Sequence, residues 1–263
     1  MKNKTENLKA INIVRDYVVF NLEYFTVLSR NKREMFFKKL KDFIEYYYKN
    51  STVSDYVLNH GILKKQIPIL RKYCLSYEKN LEKQYAGQYL RGKKSNLNQY
   101  LLNYEKFLKK EGLMARLKKA SKIIVLGSGY LPGTAILLNK IFKVQCYCID
   151  NDMEAVKTSK MLIKKMALEK EIFIMFGDAT KYPLDGYEAI FITGSSFPKK
   201  DIFTHIFNKK TNNTKIIYRR PLGLYKMWYV PSSPKDINKF KIIKKVSHSD
   251  NYPFDSILLV KRH

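Results

Sequence analysis

The sequence predicts an α/β protein with a helical region first and a Rossmann-like, doubly wound sheet after it. Residues 1–118 carry apolar side chains mainly at helical spacing and show few of the alternations typical of strands. From Lys122 onward, short apolar runs that end in Gly or Asp alternate with helical stretches. We therefore expect two domains: a helical lid domain (1–118) and a Rossmann-like domain (119–263).

The helical region contains two segments with clear periodicity. Apolar side chains recur at i, i+4 and i+7 from Leu63 to Leu81, with Pro68 placed by the pattern near the helix start, where its missing N–H costs little. The stretch 100–117 repeats this pattern among charged residues. Both segments are predicted to be amphipathic helices that bury one face.

The second region reads as alternating strands and helices. Its predicted helices cover residues 134–142 and 154–166. Its predicted strands are 122–126, 144–149, 172–176, 189–193, 215–218 and 256–260. Such alternation is typical of a parallel sheet with helices on both faces, in which ligands bind beyond the carboxyl ends of the strands.

Four features fall at those strand ends. Gly127-Ser128-Gly129 follows the first strand, where glycines allow a tight turn and close approach of a ligand, and Pro132 begins the next helix. Asp150 ends the second strand and could accept hydrogen bonds from both ribose hydroxyls. Asp178 follows the third strand, where it could meet an adenine amino group, and Thr193-Gly194 closes the fourth.

The four strand-end features, in this order along the chain, favour S-adenosylmethionine (SAM) as ligand and hence a class I methyltransferase-like sheet. A nicotinamide dinucleotide fits less well, because Pro132 stands where the GxGxxG pattern has its third glycine. The competing interpretation makes the glycines plain turn residues and the aspartates helix caps. The residues expected to bind SAM are Gly127, Ser128, Gly129, Leu131, Pro132, Asp150, Asn151, Asp178, Ala179, Thr193 and Gly194.

The composition of the chain limits the kinds of partner that we expect it to bind. The chain has 263 residues and a net charge of +27, and the excess is shared almost equally by the two regions. Of the 50 basic residues 41 are Lys, whereas Arg is preferred for bidentate phosphate and base recognition, so a nucleic-acid partner is not favoured. No apolar run is long enough for a membrane span, and the three cysteines lack metal-binding spacing. We expect a cytoplasmic protein with small-molecule partners, and the sequence leaves homo-oligomers open.

Several motifs together resemble the nicotianamine synthase family, above all its short microbial members and, more distantly, the bacterial opine-metallophore enzymes. The glycine loop GSGYLPGT (127–134) resembles the family's GSGPLPLT, and 216–231 resembles its strand followed by Tyr-Arg, a glycine turn and a Tyr/Ala-x-Pro close. The stretches 70–86 and 104–117 resemble the helices before the SAM domain. The likeness covers residues 65–262.

This resemblance implies transfer of the 3-amino-3-carboxypropyl group of SAM to an amino group, release of methylthioadenosine and formation of a nicotianamine-type metal chelator. It also implies that Glu82 and Tyr104 handle the nucleophile. An amine must be deprotonated before it attacks, which suits a glutamate base. The residues alone favour another interpretation, in which Glu78 and Glu82 pair with Lys79, Lys83 and Arg71 on a solvent-exposed helix face. Only the resemblance favours a catalytic Glu82.

Two residues after the fifth strand are candidates for substrate binding. Arg219 could clamp a carboxylate with two parallel hydrogen bonds, or be an ordinary surface arginine, and Tyr225 could line the same pocket. No bound metal is expected, because the four histidines, His60, His205, His248 and His263, show no ligand spacing.

The loop departs from the family at Tyr130, where Pro is usual, and at Gly133, where Leu is usual. These changes put the acceptor and the number of transfers in doubt more than the cofactor. Two other functions stay open. An RNA or DNA methyltransferase would suit the charge, although residues 193–198 lack the Asn/Asp-Pro-Pro-aromatic motif that grips a flipped base. A non-catalytic SAM-binding protein would suit the fold alone.

Overall fold

The computed structural model describes residue 5, residues 8–9, 12–93, 96–209, 214–247 and 252–262. The chain divides into two compact units. The first consists of Met1–Glu78, Pro221–Val230 and Ser249–Phe254, and the second of Lys79–Arg220, Pro231–His248 and Asp255–His263. The domain boundary predicted at residue 118 marks the change from helices to alternating strands and helices. The two compact units are divided at other positions, the first of them after Glu78.

The first unit is helical. A π-helical turn (Arg15–Val19) leads into α1 (Phe20–Glu23) and a 3-10 turn (Phe25–Val27). Then come α2 (Arg30–Tyr47), α3 (Ser51–Asn59) and the first part of α4 (Gly61–Leu90). Ser29 and Asn50 cap α2 and α3 by accepting backbone N–H groups, which explains where these helices begin.

The core of this unit is rich in aromatic side chains. Phe37 is buried, with its ring 4.2 Å from that of Tyr77 and 5.9 Å from that of Trp228. Trp228 follows a 3-10 turn (Gly223–Met227) that packs on α3. That turn begins with Gly223 at φ +42°, and a Cβ there would lie 2.0 Å from the carbonyl oxygen of Tyr48. Only glycine permits this close approach.

Helix α4 is longer than its periodicity indicated. It begins at Gly61, so Pro68 is the eighth residue of the helix and lies inside it rather than in its first turn. Without an N–H, Pro68 cannot bond to the carbonyl four residues earlier, a loss that the first turn would have avoided. Tertiary packing of the apolar face, including the buried Leu63, Leu70 and Cys74, compensates for that loss.

The second unit contains a seven-stranded sheet and α5 (Leu97–Met114). The strands are β1 (Lys122–Leu126), β2 (Gln145–Asp150), β3 (Ile172–Phe176), β4 (Ala189–Ile192), β5 (Lys215–Pro221), β6 (Phe240–Ser247) and β7 (Phe254–Lys261). Their order in the sheet is β3-β2-β1-β4-β5-β7-β6. The pairs among β1 to β5 are parallel, whereas β6 and β7 are antiparallel. The α/β class predicted from the sequence is confirmed.

The strand order brings four strand ends to one edge. Crossovers run through α6 (Gly133–Phe142), α7 (Met153–Lys165) and α8 (Lys199–Asn208), with a short α9 (Pro234–Ile237) before β6. In register, Leu126 of β1 pairs with Ile149 of β2 and Ile192 of β4, and Asp150 pairs with Phe176 of β3. The segments that follow these strands therefore lie side by side at the carboxyl edge, where a doubly wound sheet binds ligands.

Candidate active site

The glycine loop turns away from β1 with two residues at positive φ, Gly127 at +75° and Gly129 at +68°. The amides of Gly127 and Ser128 donate to the carbonyl oxygen of Ile149, at 2.9 and 3.2 Å. The amide of Gly129 donates to Oδ2 of Asp150, at 2.8 Å. These bonds fix the loop beside the end of β2, so the first two features found in the sequence form one surface.

The segment after β4 is fastened to the same loop. Ser196 Oγ donates to the carbonyl of Leu126 at 2.6 Å, and Thr193 Oγ1 donates to that of Gly127 at 3.1 Å. A Cβ at Gly127 would come within 2.7 Å of Ser196 Oγ. The buried Lys199 donates to the carbonyls of Gly194 and Ser196, at 2.7 and 2.9 Å. Thr193 and Gly194 thus lie at the glycine loop, as expected.

Glu82 meets the glycine loop from α4. A Cβ built on Gly129 would lie 2.4 Å from Oε2 of Glu82, so the carboxylate lies against the backbone of the loop. The hydroxyl of Tyr100 in α5 donates to Oε1 of Glu82 at 3.5 Å. The ring of Tyr104 lies 4.8 Å from that of Tyr100. The structure therefore brings Glu82, the tyrosines of α5 and the Gly129–Asp150 pair together within the second unit.

The remaining residues expected to bind SAM lie along the same edge. Leu131 and Pro132 are buried at the start of α6, Asn151 is exposed after β2, and Ala179 is half-buried after β3. The amide of Gly177 donates to the carbonyl of Asp150 at 3.0 Å, which holds the turn containing Asp178 beside β2.

The two aspartates of the set are constrained by local hydrogen bonds. Asp150 Oδ1 accepts from the amide of Asp152 at 3.0 Å. Hydrogen bonds from the hydroxyl and the amide of Thr180 hold the pKa of the exposed Asp178 below its usual value. These bonds orient both side chains, and carboxylate oxygens held in this way are suited to accepting hydrogen bonds from a nucleoside.

Two observations fit this edge to SAM. The glycines at 127 and 129 leave a strip of backbone without side chains. The hydroxyl of Ser128 is buried and has no hydrogen-bond partner among the described residues. Buried hydroxyls are usually satisfied, so an unpartnered one in a ligand loop points to a bound polar group.

Arg219 is placed differently from the expectation of an open clamp. Its side chain is 8% exposed and makes a bidentate ion pair with the fully buried Glu111 of α5, with distances of 3.0 Å from Nε and 2.8 Å from Nη2. Nη1 donates to Thr134 Oγ1 at 3.2 Å, and Ser256 Oγ donates to Glu111 at 2.5 Å. Arg219 thus joins β5, α5 and the first turn of α6, and a substrate carboxylate would have to share its guanidinium with Glu111.

Tyr225 belongs to the first unit, whereas Arg219 belongs to the second. It is 5% exposed in the aromatic core of that unit, with its ring 5.5 Å from that of Tyr48. The predicted substrate-binding roles of Arg219 and Tyr225 stay predictions.

Sequence reasoning missed several residues of this edge. Tyr100 lies one helical turn before Tyr104, and that i, i+4 spacing was the available signal. Ser196 and Lys199 gave no signal, because their role depends on carbonyl groups that the fold brings to them. Within the described residues no group of three or more His, Cys, Asp or Glu side chains could hold a metal, and His248 and His263 lie outside those residues. None of the described helices is long and apolar enough to cross a membrane.

The strand order and the glycine loop define a Rossmann-like α/β protein whose ligand edge lies at the carboxyl ends of β1 to β4. A family model described as nicotianamine synthase protein matches residues 16–263. The chain therefore belongs to the nicotianamine synthase family, as its motifs indicated.

Individual relatives are distant. The chain is 24% identical over 228 residues to L-histidine 2-aminobutanoyltransferase of Yersinia pestis, a match that covers 85% of this chain and 81% of the relative. A glutamate-to-glutamine mutant of MtNAS superposes with a TM-score of 0.82 at 18% identity, covering 97% of this chain and 98% of that one. MtNAS in complex with MTA and tNA gives a TM-score of 0.81 at 19% identity, covering 97% of each chain. These structures share the fold along nearly the whole chain.

Proposed function

We propose that the protein transfers the 3-amino-3-carboxypropyl group of SAM to the amino group of an acceptor and makes a nicotianamine-type chelator. The observation that carries this proposal is the carboxylate of Glu82 lying against Gly129 of the glycine loop. A plain methyltransferase needs no such base from the preceding helix when its acceptor is already nucleophilic. Membership of the nicotianamine synthase family and the name of the Yersinia relative support the same chemistry.

In the proposed reaction, the nitrogen of the acceptor forms a bond to the terminal carbon of the aminocarboxypropyl group. The bond between that carbon and sulfur breaks, and its electron pair stays on sulfur, which leaves as the thioether methylthioadenosine. The proton lost by the amine goes to Glu82. General base catalysis of this kind contributes about 10²–10⁴-fold.

The chain's own residues do the positioning. The glycine loop and Asp150 would hold the nucleoside end of SAM, with Asp178 and Thr193 beside it. Tyr100 donates to Glu82 Oε1, and Oε2 lies at the loop, where it would receive the proton. Tyr104, next to Tyr100, would orient the amine, the role that the family resemblance implies. Such orientation decides which of the carbons on a sulfonium is attacked.

The acceptor is proposed to be glutamate, histidine or a growing aminocarboxypropyl chain. The name of the Yersinia relative favours histidine. The test is incubation with SAM and each amino acid in turn, with mass spectrometry of the products. The proposal expects methylthioadenosine and a product heavier by whole aminocarboxypropyl units. Accumulation of S-adenosylhomocysteine would instead point to the methyltransferase alternative, which was raised because of the net charge of +27.

Glu82→Gln provides the matched test of the base, because it keeps the shape of the side chain and removes its basicity. We expect methylthioadenosine release to fall at least about 100-fold while the Kd for SAM changes little. Glu34→Gln is the control, since Glu34 lies on the exposed side of α2 and pairs with Arg30. Undiminished turnover in Glu82→Gln would contradict the role of Glu82. A wild type that binds SAM and turns over no acceptor would favour the binding-protein alternative.

We also propose that the protein works in a reducing, cytoplasmic environment. Cys74, Cys146 and Cys148 are all buried free thiols. Burial also raises the pKa of Cys74 and Cys146, so neither thiol is ionised or reactive in the folded chain.

A further inference from the structure

Tyr130 is one of the two residues of the glycine loop that depart from the family pattern, which has Pro at this position. Its ring is buried at the end of the loop. Its hydroxyl donates to Oε2 of Glu154 at 2.9 Å. Glu154 lies in the first turn of α7, so the phenol links the loop to the helix that follows β2. A proline could not make this bond.

Glu154 is also held by α4. Lys83, the residue after Glu82, forms an ion pair with Glu154, and its ammonium lies 5.8 Å from the centre of the Tyr130 ring. One turn earlier, Lys79 pairs with Asp152 at 3.5 Å. Two successive turns of α4 are therefore tied to the start of α7, on either side of Glu82.

Asp152 is itself fixed in place. It caps α7 by accepting the amides of Glu154 and Ala155, at 3.0 and 3.3 Å. Burial tends to raise the pKa of Asp152, but these hydrogen bonds and Lys79 outweigh burial and hold the pKa below its usual value. The carboxylate is thus ionised at neutral pH and meets Lys79 as a defined, charged partner.

These contacts are too exposed to contribute much to folding. The side chains of Lys83 and Glu154 are 50% and 58% exposed. Exposed ion pairs contribute little to stability, because water screens their attraction. Their geometry, by contrast, acts directly on the turn that carries Glu82, and a displacement of about 1 Å at a reacting group can cost about 100-fold in rate. A positioning role therefore predicts a loss of turnover without a matching loss of stability.

We propose that Tyr130 is a positioning residue: its hydroxyl joins Glu154 and Lys83 in a latch, the Tyr130 latch, that holds Glu82 against the glycine loop. The inference rests on the proposed function for its catalytic consequence. The phenol stays a donor throughout the neutral range, because burial and the neighbouring Glu154 raise the pKa of Tyr130.

The first experiment uses Tyr130→Phe, which removes the hydroxyl and keeps the buried ring. We expect kcat to fall about 5–10-fold, with the Kd for SAM and the Tm close to those of wild type. Tyr147→Phe is the matched control, because Tyr147 is a half-buried tyrosine whose ring packs on Phe173 and Tyr187 in the sheet region. A wild-type kcat in Tyr130→Phe would overturn the proposal. A lower kcat would overturn it too if the Tm fell so far that part of the variant were unfolded under the assay conditions.

A double-mutant cycle tests the ionic part of the latch. Lys83→Gln and Glu154→Gln should each lower kcat, and the double variant should cost no more than the worse single one, because both remove the same contact. Additive losses would overturn the latch, as would unchanged kcat in both single variants.

Hydrogen exchange separates failure of the latch from failure of the proposed function. The amides of residues 79–90 should exchange faster in Tyr130→Phe than in wild type, whereas Tyr147→Phe should leave them unchanged. If wild type releases no methylthioadenosine with any acceptor, the proposed function is wrong, and this exchange measurement still decides on the latch. Unchanged exchange in residues 79–90 would refute it.

Discussion

Glu78 shows how much the surroundings of a single residue can change its chemistry. Its sequence context, with lysines nearby, suits a wet helix face. The structure instead half-buries it, and the partial removal from water raises the pKa of Glu78 to about 7, although the hydrogen bond from Tyr229 and the charge of Lys41 oppose the rise. Cys74 lies on the same helix and adds no charge at neutral pH, because its own pKa is raised by burial.

Glu78→Gln is expected to raise the stability of the protein at pH 8 and to change it little near pH 4.5. The carboxyl binds its proton more tightly when folded, so its contribution is complete below about pH 4.5 and is lost as the pH rises to about 7. The gain is on the order of 3 kcal/mol. Thermal unfolding from pH 4.5 to 8 measures it, with Glu34→Gln as an exposed control. A lower Tm for Glu78→Gln at pH 8 would contradict the assignment.

The site shows a similar limit to prediction at the residue scale. The position of the glycine loop, Asp150 and Asp178 at the carboxyl edge of the sheet could be predicted, because each follows a buried strand directly. Glu82 needed the family resemblance, since nothing in a helix of lysines and glutamates distinguishes it. The contact between Tyr100 and Glu82 depends on the separation of two helices. Gly133 lies where a Cβ would come 3.2 Å from Leu101 and 3.8 Å from the Tyr100 ring, so its lack of a side chain leaves room there.

Among the elements, α5 and α6 pack at a point where no side chain fits. Gly112 of α5 lies under Phe142 at the end of α6, and a Cβ on Gly112 would be 2.1 Å from Cε2 of that ring. Gly112 also lies next to Glu111, whose ion pair with Arg219 ties α5 to β5. Close approach of these helices therefore depends on one glycine near the C-terminal end of α5.

Gly112→Ala should destabilise the protein by about 1–3 kcal/mol, the usual cost of forcing an extra methyl group into a packed interior. Urea unfolding is the measurement, and Gly61→Ala is the control, because a Cβ on Gly61 meets nothing within 4 Å. A second variant, Phe142→Leu in the Gly112→Ala background, should recover part of the loss. Since alanine favours helices more than glycine does, a gain in stability would show that Phe142 simply moves aside.

The strands also differ in how well the sequence predicted them. β1 to β5 and β7 were predicted to within a few residues, because each contains a buried apolar run. β6 was missed. Apart from Phe240 and the half-buried Val246 its residues are exposed, including Ile242 and Ile243, and a register shift interrupts its pairing between Ile242 and Lys244. An edge strand rich in lysine carries no pattern of burial from which it could be recognised.

For the whole molecule, the net charge of +27 bears on stability. Like charges repel more in the compact state than in the expanded chain, and salt screens that repulsion. We expect the Tm at pH 7 to rise by a few degrees between low salt and 0.2 M NaCl. A Tm that falls with salt would mean that ion pairs such as those of the Tyr130 latch dominate instead.

The three buried thiols can be used to measure partial unfolding of the protein. Cys74 lies in the first unit, and Cys146 and Cys148 lie on β2 in the second. An alkylating reagent can reach each of them only when the surrounding structure opens, so labelling rates measure the opening of the two units separately. Because no disulfide has to be broken first, peptide mapping after a timed pulse of reagent would show which unit opens first and whether a bound donor protects one of them or both.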